Sequence, residues 1–223
     1  MIEIVRNTAE TELRLGLRLG LDPVTRVATG VRFLDHMLET LARYGGFELS
    51  VSATGDLRHH LVEDVGIAFG QAVRQLSVTP IARYGDRTVP MDDALVHVGL
   101  DLGGRPYYRG PLPSSYYEHW MQSFAMNAAA TLHVRVLRGR DRHHVVEAAF
   151  KALGLALRDA LQPASGVFST KGAVHLEEPP TPARPVWRDR SAPDARAPRD
   201  RMPRRARRSR RQGPPVRGSA RCR

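Results

Sequence analysis

The sequence predicts an α+β domain made by internal duplication and followed by a disordered tail. Three observations carry this. Segments with the two-residue period of a strand alternate with segments that suit a helix, the same order occurs twice, and the composition changes sharply after Gly172.

The elements follow in order. Leu13, Leu15, Leu17 and Leu19 alternate with polar residues or glycine, as in a half-buried strand. A helix-like segment covers 31–44, and Phe47, Leu49, Val51 and Ala53 alternate again. From 59 to 76 the apolar residues Val62, Ile67, Phe69 and Val73 suit a helix. The order then returns, with a strand near 96–100, a helix near 116–128, a strand near 132–136 and a helix over 143–161.

The recurrence is visible residue by residue. His59-His60-Leu61-Val62-Glu63 is followed by Ala68, Gly70, Ala72 and Arg74; His143-His144-Val145-Val146-Glu147 is followed by Ala152, Gly154, Ala156 and Arg158, at a constant offset of 84. His36 precedes the first pair by 23 residues and His119 the second by 24. The expected division is a duplicated domain over 1–175, with halves of about 1–88 and 89–175, and a tail over 176–223.

Charge separates the same two parts. The 223-residue chain has a formal net charge of +11, but 173–223 holds 15 Arg and 5 acidic residues, so positions 1–172 are close to neutral. The domain itself therefore gives no sign of nucleic-acid binding. The tail, with 9 of the 16 prolines and the run Arg204-Arg205-Ala206-Arg207-Arg208-Ser209-Arg210-Arg211, is expected to be disordered and to bind nucleic acid only non-specifically. A single cysteine, Cys222, excludes a disulfide framework and thiolate-rich zinc sites. No apolar run is long enough for a membrane span, and Met1-Ile2-Glu3-Ile4-Val5-Arg6 does not read as a secretory signal, so a cytoplasmic address is expected.

Residues four or three apart share a helix face, so Glu63 and Glu147 each lie beside one histidine of the preceding pair. Adjacent histidines point about 100° apart, so the two members of a pair serve different centres. Six histidines and two glutamates suffice for two sites of three imidazoles and one carboxylate, a donor set that suits Mn²⁺, Fe²⁺, Co²⁺ or Zn²⁺. Neither the forward nor the inverted zinc-protease motif is present, nor a phosphate loop or dinucleotide fingerprint.

Phe33-Leu34-Asp35-His36-Met37-Leu38, His59-His60-Leu61-Val62-Glu63-Asp64, Glu118-His119, His143 to Ala152 and Ser169-Thr170-Lys171-Gly172 together resemble imidazoleglycerol-phosphate dehydratase of histidine biosynthesis, over residues 1 to about 175. The resemblance implies two βαβα-type halves of the ribosomal protein S5 domain 2-like kind. It also implies a 24-subunit homo-oligomer with active sites at subunit interfaces, a small-molecule phosphate substrate, and two Mn²⁺ per site. The implied metal ligands are His36, His59, His60, Glu63, His119, His143, His144 and Glu147. Glu10 is the implied catalytic residue, and Arg83, Arg105, Ser169 and Lys171 the implied phosphate-binding set.

The chain departs from the resemblance in two connections. Arg58 alone joins Gly55-Asp56-Leu57 to His59, and the stretch from Tyr108 to Glu118 is short. A relative that binds metal without turnover, or a protein working through the basic tail on nucleic acid, are the competing readings.

Overall fold

The computed structural model describes residues 1–20, 24–77 and 80–165. The first half runs β1 (Ile2–Asn7), β2 (Thr11–Leu19), β3 (Thr25–Ala28), α1 (Arg32–Gly45), β4 (Phe47–Gly55) and α2 (Arg58–Leu76). The second runs β5 (Tyr84–Met91), β6 (Ala94–Asp101), β7 (Tyr107–Arg109), α3 (Ser115–Asn127), β8 (Thr131–Arg138) and α4 (Arg142–Ala160). The sheets have matching orders, β1-β2-β4-β3 and β5-β6-β8-β7. In each, an antiparallel hairpin pairs with a third strand, and a short strand joins in parallel through a helical crossover.

Each half therefore has two strands beyond the expected βαβα core. The added strands lie at the sheet edges and bury little: β1 buries only Ile4, β5 only Gly85 and Val89, and β3 and β7 bury no residue fully. An edge strand with few buried positions lacks the alternation that marks a strand in sequence. β5 straddles the boundary expected near residue 88, because the second sheet already starts at Tyr84.

The central strands bury one face each, through Leu13, Leu15 and Leu17 on β2, Leu49 and Val51 on β4, Val96 and Val98 on β6, and Leu132 and Val134 on β8. Helices cover those faces, and the helices of the two halves pack on one another, α2 on α3 and α1 on α4. Two glycines allow this close approach. A Cβ at Gly70 would lie 2.6 Å from the Phe124 carbonyl oxygen of α3, and one at Gly154 would lie 2.7 Å from the Leu41 oxygen of α1. The duplicated glycines of the sequence thus set the separation of helices from opposite halves.

Candidate metal centre

The first turns of the helices carry the site. On α2, His59 and Glu63 stand one turn apart, with Nε2 of His59 3.8 Å from the carboxylate. On α4, Nε2 of His143 stands 3.1 Å from the Glu147 carboxylate. The third member of each group crosses from the other half. His36 on α1 comes within 3.3 Å of Glu147, and His119 on α3 within 3.6 Å of Glu63.

The result is a reciprocal exchange. One group is His36, His143 and Glu147; the other is His59, Glu63 and His119, and within each group the donor atoms lie within 4.8 Å of one another. Two imidazoles and one carboxylate converge at each, with no thiolate, which suits a divalent first-row ion with positions left for a substrate. Among the described residues, the expected three imidazoles per site are not assembled within one chain. The physical reason is the 100° turn between neighbouring helix residues, which aims His60 and His144 elsewhere.

His60 and His144 have matching surroundings. Nδ1 of His60 lies 2.8 Å from Asp56 and 3.5 Å from Glu10, while Nδ1 of His144 lies 2.8 Å from Asp93, with its Nε2 3.4 Å from Asp92. Each hairpin turn thus presents an acid to the outward histidine of its own half. Hydrogen bonds to Asp56 and Asp93 raise the pKa of His60 and His144 above the ordinary histidine value. Asp93 falls to about 2, because the Arg140 amide and then His144 donate to it. Motif reasoning gives the acidic partners at 92 and 93 no role at the site. The 84-residue offset is the signal that finds them, since it aligns this turn with the one holding Glu10.

The two carboxylates of the metal groups differ. Burial alone would raise the Glu147 pKa, but Lys151, one turn further along α4 with Nζ at 3.0 Å, holds it below the ordinary value. Glu147 thus gives one oxygen to the histidines and the other to a fixed ammonium. The corresponding position on α2 is Ile67, and Glu63 is half-buried.

The other expected residues lie as follows. Glu10, in the turn between β1 and β2, keeps an exposed side chain while its amide donates to Thr8 Oγ1 at 3.1 Å. Arg83 and Arg105 converge on Asp101 at the end of β6. Arg83 makes a two-pronged contact at 2.6 and 2.9 Å, and Arg105 stands at 3.8 Å with a largely exposed side chain. Arg83 adopts a positive φ of 73°, costly for a side chain of its size, and a Cβ at Gly103 would collide with its guanidinium. Ser169, Lys171 and the basic tail lie outside the described residues.

The two short connections are closed by local bonds. The Leu57 amide donates to Asp56 at 2.6 Å just before α2, and the Leu112 amide donates to Glu118 at 3.0 Å just before α3. Both flank helices that still deliver their ligands to the two groups.

Comparison with known proteins gives a consistent family. A family model described as imidazoleglycerol-phosphate dehydratase matches residues 29–157. A relative of that name from Acetivibrio thermocellus is 44% identical over 190 residues, covering 77% of this chain and 97% of the relative. One from Rhodococcus erythropolis is 42% identical over 197 residues, covering 77% and 97%. Among solved structures, the dehydratase from Pyrococcus furiosus in complex with (S)-C348 has a TM-score of 0.71 at 37% identity, covering 77% of this chain and all of that one. The Staphylococcus aureus dehydratase has a TM-score of 0.66 at 32% identity, covering 73% and 98%.

Proposed function

Because the chain belongs to the imidazoleglycerol-phosphate dehydratase family, a group of hydro-lyases of histidine biosynthesis, we propose that it converts imidazole glycerol phosphate into imidazole acetol phosphate with manganese as its metal. The observation that carries this reading is the exchange of His36 and His119 between halves, which yields two carboxylate–imidazole groups of the same composition. The donors fit a divalent ion, with His36, His143 and Glu147 holding one and His59, Glu63 and His119 the other. The bound ion would act as a Lewis acid on the substrate imidazole, making loss of the neighbouring hydroxyl easier.

The chain's own groups supply the rest. Glu10, exposed and 3.5 Å from His60, is the base that takes the carbon-bound proton and passes it to the departing hydroxide, so that water leaves; the resulting enol becomes the ketone of the product. Its nearness to His60 orients it on the outward face of α2. Lys151 keeps Glu147 ionised and so available to a cation. Arg83 and Arg105, with Ser169 and Lys171, hold the substrate phosphate, and Asp101 keeps the two guanidiniums together.

His60 and His144, each turned away from the group of its own helix, complete sites formed with neighbouring copies in a homo-oligomer. No helix among the described residues is long and apolar enough to cross a membrane. Two results test the reading together. Chelation should abolish product formation and manganese restore it, and Glu10→Gln should cut kcat by at least a hundredfold with little change in KM. An unchanged kcat in Glu10→Gln would remove the base from the scheme.

A further inference from the structure

A cavity of about 650 Å³ opens where the first turns of all four helices meet, beside the His143 group. Arg32 of α1, Arg58 of α2 and Arg142 of α4 line it, and no carboxylate does. We propose that this cavity binds a tetrahedral oxyanion, a phosphate or phosphate monoester, at a site separate from the Arg83–Arg105 pair.

Charge balance is the first argument. The arginine ion pairs among the described residues involve Arg6, Arg18, Arg83, Arg87 and Arg105, none of which lines the cavity. The acids on the adjoining turns are engaged elsewhere. Asp35 accepts from the Thr29 amide and hydroxyl, and Asp141 from the amides of His143 and His144. Three guanidiniums around one cavity repel one another, and four helix N-termini add positive potential. A dianion removes that repulsion.

Donor geometry is the second argument. Arg142 is fixed by its Nε bond to the Pro113 carbonyl at 2.6 Å, which leaves its two terminal amino groups to present a fork to a ligand. Ser114 sits at the N-cap of α3 but makes no capping bond, so its hydroxyl remains available to the cavity. Arg58 and Tyr117 both line the same space. The volume suits one phosphate with a small organic body attached. Arg58 and Ser114 both belong to the short connections, so these loops form walls of the cavity as well as leading into their helices.

The test is calorimetric titration of inorganic phosphate into the full-length, metal-loaded chain, and it needs no turnover. Arg32→Ala with Arg58→Ala should weaken phosphate binding roughly a hundredfold, about tenfold for each guanidinium. Both side chains are exposed, so the fold should survive; Arg32→Lys with Arg58→Lys, which keeps the charge but loses the fork, should fall between. Arg83→Ala with Arg105→Ala should leave this binding in place. Competition by imidazole glycerol phosphate would make the substrate's own phosphate the ligand and take that role from Arg83 and Arg105. Binding undisturbed by it would make free phosphate the ligand, and either result supports an oxyanion site. The proposal is overturned if the wild-type chain takes up no phosphate, if the Arg32/Arg58 double variant binds as the wild type does, or if only the Arg83/Arg105 variant loses binding.

Discussion

Replacing Gly154 by alanine should open one metal group and leave the other intact. The new Cβ would lie 2.7 Å from the Leu41 carbonyl oxygen and 3.1 Å from both the Gly45 nitrogen and the Tyr44 Cβ. Two of these are backbone atoms of α1, which cannot swing aside. Restoring an ordinary contact of 3.4 Å requires α1 and α4 to separate by about 0.7 Å. Overpacking of this kind costs about 1–3 kcal/mol. Alanine's better helix propensity returns about 1 kcal/mol, so the net loss in stability is about 1 kcal/mol. Metal binding is more sensitive. His36 rides on α1 and His143 with Glu147 on α4, and ligand distances tolerate only about 0.2 Å. Manganese affinity at that group should fall tenfold or more, about the effect of losing a supporting contact to a ligand. Manganese titration by calorimetry, alongside urea unfolding, reads both quantities. Gly20→Ala, whose added Cβ meets nothing within 4 Å, is the control. Gly70→Ala should shift the damage to the group of His59, Glu63 and His119, since its Cβ would meet the Phe124 oxygen of α3 at 2.6 Å. Unchanged manganese affinity in Gly154→Ala would refute the claim that helix proximity sets the ligand spacing.

Other outcomes follow from the same contacts. Lys151→Met leaves the buried Glu147 carboxylate without its ammonium, which should cost about 2 kcal/mol in urea denaturation. An equal loss in a Glu147→Gln background would show that the pair is not the cause. Asp64 is buried, accepts from the Thr11 hydroxyl, and lies 2.9 Å from Arg6 Nε; Asp64→Ala should therefore cost about 2–4 kcal/mol, with a smaller loss on further changing Arg6. Asp93 has a depressed pKa of about 2, so its stabilisation is fully present above its ordinary value of 3.8 and fades as pH falls through 2. The stability gap between the metal-free wild type and Asp93→Asn should narrow across that window; a gap that stays constant would contradict the assignment.

The buried strands and the helices were legible because each has a regular apolar face. Leu13, Leu15 and Leu17 alternate on β2, and the α2 and α4 patterns repeat at 84. Edge strands were not legible, since β3 and β7 have no alternating buried face to read. The ligand types could be read from the paired His-His-x-x-Glu segments, but their grouping could not. Spacing along one helix places His143 beside Glu147, yet says nothing of His36, which is 111 residues away and reaches Glu147 only because α1 packs on α4. The arginine-lined cavity was hidden for the same reason. Arg58 and Arg142 hold the same place in the duplicated segment, each just before its histidine pair, but Arg32 stands on a third helix and nothing in the sequence brings it to them.

The most direct measurement of the central claim is formation of imidazole acetol phosphate by the purified full-length chain, in one sample loaded with manganese and one held in chelator. The account predicts product in the first, none in the second, and recovery when manganese is returned. A chain with both metal groups filled that yields no product from imidazole glycerol phosphate would contradict it.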